Sequence, residues 1–310
     1  MVKTGCEPFE KAVDANTRCC AVFGHPVRHS ASPAMQNAGL AALGLNWRYM
    51  AHEVSPANLA AALEGARAMG YIGVNLTVPH KVAAVNLVDS LDETARTWGA
   101  VNTVRIEAQD QRGEWRALGA LEGEPAKVRT RGFNTDADAI VRALKEDLGF
   151  SAAEARVLLL GAGGAGRTAA LKLASEGVAE LFIVNRTRSK ALALERELRE
   201  AHSRVRVGVG YPSGSVDLLL NATSLGLKAE DSLSMDEAAF AFRNARAVYD
   251  MIYRPAETPL LKAAKAAGCR VANGLGMLLY QGVKALEIWT ERPAPVEVMR
   301  RALERSVYGV

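Results

Sequence analysis

The run Gly161-Ala162-Gly163-Gly164-Ala165-Gly166 has the residue types needed to hold a pyrophosphate. Small residues let the backbone come close to phosphates, and the unpaired N–H groups of a following helix face them. A glycine cluster also makes a plain loop. Its position favours a ligand: Val157-Leu158-Leu159-Leu160 precedes it as an unalternating apolar run, and the helix-like stretch Thr168 to Glu176 follows it. The next apolar run, Leu181 to Val184, is followed by Asn185-Arg186-Thr187-Arg188-Ser189-Lys190. An NAD-binding fold places an acidic residue there for the ribose 2′-hydroxyl. This chain offers Arg186, Arg188 and Lys190 instead, charges that suit a 2′-phosphate. A basic helix start without a ligand is the competing reading. The pattern favours NADP over NAD.

The first half of the chain holds a second set of candidates. Ser30 and Ser32 lie in the polar loop Gly24 to Pro33. Ser32 followed by Pro33 suits a helix cap, which leaves the Ser30 hydroxyl available. Turn and cap alone also explain both serines. In Gly73-Val74-Asn75-Leu76-Thr77-Val78-Pro79-His80-Lys81, polar Asn75 and Thr77 alternate with apolar residues at the end of a strand. Pro79 suits a helix start, which puts Lys81 in a first turn, where the helix dipole disfavours a cation. A placement against local preference can mark a site, and a solvated surface lysine fits the same pattern. Asp136, after Arg131-Gly132-Phe133-Asn134-Thr135, lies near an expected helix N-terminus, where an acid is comfortable in any case.

The elements that must position these residues fall into two sets. Cys19–Phe23, Trp47–Val54 and Tyr71–Asn75 read as strands, with helices from Ser32 to about Leu43 and from Ser55-Pro56 to about Met69. Residues 106–130 are charged and poorly periodic, an extended hairpin or peripheral excursion. Asn134 or Thr135 is expected to cap a helix to about Leu148. Beyond it, strands are expected at Val157–Leu160, Leu181–Val184, Val205–Val209, Val216–Leu220, Ala247–Tyr253 and Arg270–Ala272. Helices follow at Thr258–Ala267, Leu278–Trp289 and from Val296. The fold class is α/β: an N-terminal substrate domain over 1–135, joined by 278–310, and a doubly wound Rossmann-like domain over 136–277. The last helices are expected to pack back on the first domain and close a cleft.

Bulk properties narrow the function. The 310 residues are 49% hydrophobic with a net charge of +4 and no basic block, which argues against nucleic acid and suits a small anionic molecule. No stretch is long and apolar enough for a membrane span. Glu7, Glu10 and Asp14 do not fit a signal peptide, so the expected compartment is the cytoplasm. Residues 1–17 read as a loose lead-in. Cys6, Cys19, Cys20 and Cys269 fit neither a disulfide framework nor a metal motif, and no metal is expected.

Read together, the motifs resemble the shikimate dehydrogenase family over about residues 19–290. GxPxxHSxSP is Gly24, Pro26, His29, Ser30, Ser32 and Pro33; NxTxPHK is Asn75, Thr77, Pro79, His80 and Lys81. GAxNT is Gly99, Ala100, Asn102 and Thr103, and GxNTD is Gly132, Asn134, Thr135 and Asp136. GAGGA, NRT and NATS follow at Gly161–Ala165, Asn185–Thr187 and Asn221–Ser224, and GxGMLxxQ is Gly274, Gly276, Met277, Leu278 and Gln281. All of them stand in the family's order.

The resemblance implies reversible, NADP-dependent reduction of 3-dehydroshikimate to shikimate, within aromatic amino acid (chorismate) biosynthesis, by a monomer or homodimer. It implies Lys81 and Asp136 as the catalytic pair and Ser30 and Ser32 on the substrate carboxylate, with Tyr253 near it. Asn75, Thr77, Asn102 and Gln281 are implied at the ring hydroxyls or in shaping the pocket around them. Gly161, Gly163, Gly164, Ala165, Asn185, Arg186, Thr187, Arg188, Lys190, Thr223, Ser224 and Met251 are implied at the cofactor, and Gly274 and Met277 beside the nicotinamide. Departures from the family pattern are Gln36-Asn37 for the usual HN, Ala137 for the glycine of NTDG, Leu227 for the methionine after NATS, and a longer segment between Asn102 and Asp136. Two other readings remain: a quinate/shikimate dehydrogenase using NAD or both cofactors, and a catalytically silent nucleotide-binding regulator. Retention of both Lys81 and Asp136 speaks against the second.

Overall fold

The computed structural model describes residues 13–121, 123, 125, 127–228 and 230–309. The expected lead-in is therefore seen only from residue 13, and Cys6 lies outside the described residues. From Asp14 the chain is tied down, with the Asn46 amide donating to the Asp14 carboxylate at 2.9 Å. The chain divides into two compact units: Met1–Thr135 with Gln281–Val310, and Asp136–Tyr280. Among the described residues no helix is long and apolar enough to cross a membrane.

The first unit contains β1 (Arg18–Gly24), α1 (Ser32–Ala42), β2 (Trp47–Glu53), α2 (Leu59–Ala68), β3 (Gly73–Leu76), β4 (Ser90–Leu91), α3 (Glu93–Trp98), β5 (Thr103–Gln109), β6 (Trp115–Ala117) and β7 (Val128–Phe133). Its seven-stranded sheet runs β2-β1-β3-β5-β7-β4, with β6 on β5. β1 is parallel to β2 and β3, while β5 is antiparallel to β3, β6 and β7. One core joins Ala21, Phe23 and Val74 of the sheet to Leu59, Leu63 and Ala66 of α2.

The second unit contains α4 (Asp136–Leu148), β8 (Arg156–Leu160), α5 (Gly164–Ser175), β9 (Glu180–Val184), α6 (Arg188–Ala201), β10 (Arg206–Val209), β11 (Val216–Asn221), β12 (Ala245–Asp250), α7 (Pro259–Ala266) and β13 (Arg270–Asn273). All six strands are parallel, in the order β10-β9-β8-β11-β12-β13. Counted from β8, this is the doubly wound order 3-2-1-4-5-6. Strands β8 and β11 are almost wholly buried, which is why they read as apolar runs without alternation. The chain ends in α8 (Leu275–Thr290) and α9 (Val296–Tyr308). Within the first unit these helices pack on α1, where Gly39 lies close under Leu286 and Met299.

Several expected local features are corrected. Ser32 does not cap α1. It is the first helical residue, preceded by Ala31, and no side chain caps the helix. Pro33 then sits in the first turn. Ser55-Pro56 opens a short 3₁₀ turn, Pro56–Asn58, and α2 begins only at Leu59. Pro79 starts no helix: Thr77 to Lys81 is a turn followed by a 3₁₀ turn at Ala83–Asn86, so the helix-dipole argument for Lys81 does not hold. Residues 106–130 do form a hairpin, but β5 lies inside the sheet rather than at its periphery. Its charged pattern hides a fully buried Glu107, which accepts from Arg129 Nε at 2.7 Å and Arg105 Nε at 3.1 Å. Paired charges of this kind mimic a solvated face in the sequence. In the second unit, α5 starts at Gly164, because the glycine cluster itself supplies the first turn. β12 ends at Asp250, the residue that interrupts the apolar run Ala247–Tyr253 near the expected strand end, and α8 begins at Leu275 rather than Leu278.

Candidate active site

In the first unit, a turn and two strand ends carry most of the candidate residues. Thr77 N–H donates to Phe23 O at 3.0 Å, and His80 N–H donates to Thr77 O at 2.9 Å. The buried His80 ring sits 2.8 Å from Val54 O through Nε2. Burial holds its pKa below the usual imidazole value, and His25 pushes it the same way, while the bond to Val54 opposes them. Lys81 follows, half-buried, with its carbonyl accepting from Val101 N–H at 2.8 Å.

The neighbouring Asn102 side chain accepts from Thr135 N–H at 2.8 Å. The backbone that carries Lys81 and the backbone that leads into Asp136 are thus both fastened at Val101-Asn102. Asp136 is the first residue of α4. Asn134 donates to Ala100 O at 3.1 Å, and Thr135 Oγ1 donates to Gln281 O at 3.1 Å. Ser30 Oγ accepts from Ser32 N–H at 3.3 Å, so the Ser30 hydroxyl is engaged in the turn ahead of α1. Gln36, in place of the histidine of the HN pair, donates to Gly282 O at 2.9 Å from a fully buried position.

The structure also joins these candidates through residues to which the sequence assigns no role. Tyr49 Oη lies 2.8 Å from Asn75 Oδ1, and Asn75 Nδ2 lies 3.0 Å from Thr103 Oγ1. Thr103 and Thr135 stand inside the motifs, which is a signal. Tyr49, in a strand of ordinary composition, gives none.

In the second unit the strand order reverses between β8 and β11, the usual place for a dinucleotide in such sheets. The glycine turn lies there. Gly161 has φ +103°, and a side chain on it would meet the Ala222 backbone and Thr223. A Cβ on Gly166 would lie 2.0 Å from Gly161 O, so this glycine lets α5 close on the strand. Gly163 and Gly164 border open space. No side chain caps α5, so its first N–H groups, around Ala165, are left for a ligand. Asn185 braces the turn by accepting from Ala162 N–H at 2.9 Å and donating to Thr187 O at 2.9 Å. Arg186, Arg188 and Lys190 are exposed and make no ion pair with the described residues. Arg167 is committed elsewhere, bonding Glu197 at 2.9 Å.

Across the switch point, buried Asp250 accepts from Asn221 Nδ2 (2.9 Å), Ile252 N–H (3.1 Å) and Thr258 Oγ1 (2.7 Å). Burial lifts the pKa of Asp250 above the usual carboxylate value, and the three donors work against that. Asn221 in turn accepts from both the N–H and the hydroxyl of Thr223, at 3.1 and 2.8 Å, which shapes the turn bearing exposed Ser224. Gly274 lies against Met251, whose carbonyl would be 2.0 Å from an added Cβ. Met251 and Met277 are half-buried. Tyr253 belongs to this unit, and burial raises its pKa while Arg254 lowers it.

An open glycine turn at a helix N-terminus, with unpaired cations after the second strand, suits a pyrophosphate and a 2′-phosphate. Joined to an α/β unit rich in polar side chains, it defines a dinucleotide-dependent enzyme of the doubly wound class. Family models described as the shikimate dehydrogenase substrate binding domain, shikimate/quinate 5-dehydrogenase and the shikimate 5′-dehydrogenase C-terminal domain match residues 22–104, 143–207 and 274–304. The chain belongs to the shikimate dehydrogenase family. It is 40% identical over 299 residues to a shikimate dehydrogenase (NADP+) of Methanopyrus kandleri, covering 94% of this chain and 97% of the relative. It also resembles a shikimate dehydrogenase solved with NADP+ (TM-score 0.82, 34% identity, 97% of this chain and 99% of that one). The Thermus thermophilus enzyme, solved with NADP(H) and shikimate, gives a TM-score of 0.76 at 36% identity, covering 93% of this chain and 99% of that one.

Proposed function

We propose that this protein reversibly reduces 3-dehydroshikimate to shikimate, with Lys81 and Asp136 as its catalytic pair. The observation that carries the reading is the common fastening at Val101-Asn102. It holds the Lys81 carbonyl by one bond and the Thr135 N–H, next to Asp136, by another. NADPH, when bound, supplies the hydride. Gly161, Gly163, Gly164 and the N–H groups around Ala165 would hold its pyrophosphate, and Arg186, Arg188 and Lys190 its 2′-phosphate. Asn185 and Thr187 support that turn, Thr223 and Ser224 would line the cofactor beside it, and Met251, Gly274 and Met277 would lie on the nicotinamide side.

Ser30 and Ser32 would hold the substrate carboxylate, with Tyr253 near it, while Asn75, Thr77, Asn102 and Gln281 meet ring hydroxyls. As negative charge develops on the C3 oxygen, the Lys81 ammonium stabilises it and gives it a proton. Asp136 orients Lys81 and the adjacent substrate hydroxyl. In the oxidising direction Lys81 takes the proton back.

Initial rates of shikimate and quinate oxidation, each with NADP+ and NAD+, test the reading. Shikimate with NADP+ is expected to have the highest kcat/KM. A preference for quinate with NAD+ would overturn it.

A further inference from the structure

Asn75 is 6% exposed, and its neighbours fix which way its amide points. One end faces the Asn102 carbonyl at 3.2 Å. A backbone carbonyl only accepts, so this end is the nitrogen, whose second N–H reaches Thr103 Oγ1 at 3.0 Å. The oxygen therefore faces Tyr49 Oη at 2.8 Å, and the tyrosine must donate. Asn102 is fixed in the same way. Its oxygen accepts the Thr135 N–H at 2.8 Å, a group that only donates, so its nitrogen faces Thr135 Oγ1 at 2.9 Å. Thr103 Oγ1 lies 3.3 Å from Asn102 Oδ1, and the Thr135 hydroxyl reaches Gln281 O at 3.1 Å. The donors run from Tyr49 through Asn75 to Thr103, and the Thr103 and Thr135 hydroxyls, 3.4 Å apart, both lie 3.3 Å from Asn102 Oδ1, which links this network on to the Gln281 carbonyl.

Tyr49 stands at the head of this chain and is itself held firmly. Asn37 of α1 bonds both the N–H and the carbonyl of Tyr49, each at 2.9 Å, and so covers the open edge of β2 at that point. The tyrosine ring packs against Trp289 with centroids 6.0 Å apart. Burial raises the phenol pKa well above its usual value, which keeps the donating proton in place.

We propose that Tyr49 is a positioning residue for substrate recognition, fixing Asn75 so that it meets the substrate as an acceptor. Both Asn75 N–H groups are engaged, so one lone pair of Oδ1 is what it offers, and the group opposite it is a hydroxyl that donates. The proposal rests on the reading of Asn75 as a substrate contact.

Tyr49→Phe removes the hydroxyl and keeps the ring. It is expected to raise KM for shikimate about tenfold, with kcat changed by less than about threefold and KM for NADP+ by less than about twofold. In an Asn75→Ala background the same substitution is expected to change shikimate KM by less than about twofold, because the group it acts through is gone. An unchanged shikimate KM, equal effects in both backgrounds, or a matching rise in KM for NADP+ would each overturn the proposal. Should Tyr49→Phe fail to fold, Thr103→Val breaks the next link, and the same rise and non-additivity are required of it. Asn75→Ala with normal shikimate KM would instead remove the underlying substrate reading, and the proposal with it.

Discussion

Glycines within one turn do different work. Gly166 has Gly161 O where a Cβ would go, whereas a Cβ added at Gly163 or Gly164 would meet nothing within 4 Å. The first is a packing requirement, and the others leave room for something outside the protein. Gly166→Ala is therefore expected to force α5 from β8, lowering stability by about 1–3 kcal/mol and weakening NADP+ binding as the turn opens. Gly164→Ala is expected to leave Tm unchanged or slightly raised, since alanine is the better helix former, and to raise KM for NADP+ about tenfold. Thermal melts and initial rates on the two variants check the contrast. The glycine run is legible in the sequence because it follows a buried strand. That one member serves packing is not legible, since spacing does not reveal which atom lies opposite a missing side chain.

At the scale of elements, β1, β8 and β11 are readable because burial on both faces leaves plain apolar runs. The turn Thr77–Lys81 is not, because proline suits both helix starts and turns. What decides it is long-range: the bond from His80 to Val54 O and that from Val101 N–H to Lys81 O. This gives the turn a pH dependence. The folded state holds the His80 pKa below its ordinary 6.5, so the neutral ring is favoured. As pH falls below about 6.5 the unfolded chain takes up a proton first, and stability declines with it. Tm measured from pH 7.5 to 5 should fall more steeply in the wild type than in His80→Gln, which retains a donor for Val54 but does not titrate. Parallel curves would show that His80 is not the sensor.

At the scale of the molecule, the motifs fall on different units. Lys81 and the polar chain from Tyr49 to Thr135 belong to Met1–Thr135 with Gln281–Val310, whereas the glycine turn and the cations after β9 belong to Asp136–Tyr280. The order of motifs makes this much legible as a family resemblance. The buried polar chain is not, because its links join residues far apart in sequence. The division implies that the two functions fail separately. Arg188→Ala is expected to lower kcat/KM for NADP+ about 10- to 100-fold, the worth of one charge-assisted contact to phosphate, and to leave the weaker NAD+ reaction within about twofold. Lys81→Ala should do the opposite: turnover falls by about 10²- to 10⁴-fold with either cofactor, while NADPH binding, followed by its fluorescence, stays within about twofold of wild type. Loss of NADPH binding in Lys81→Ala would mean that the lysine serves the cofactor side, and its assignment to the substrate oxygen would have to be abandoned.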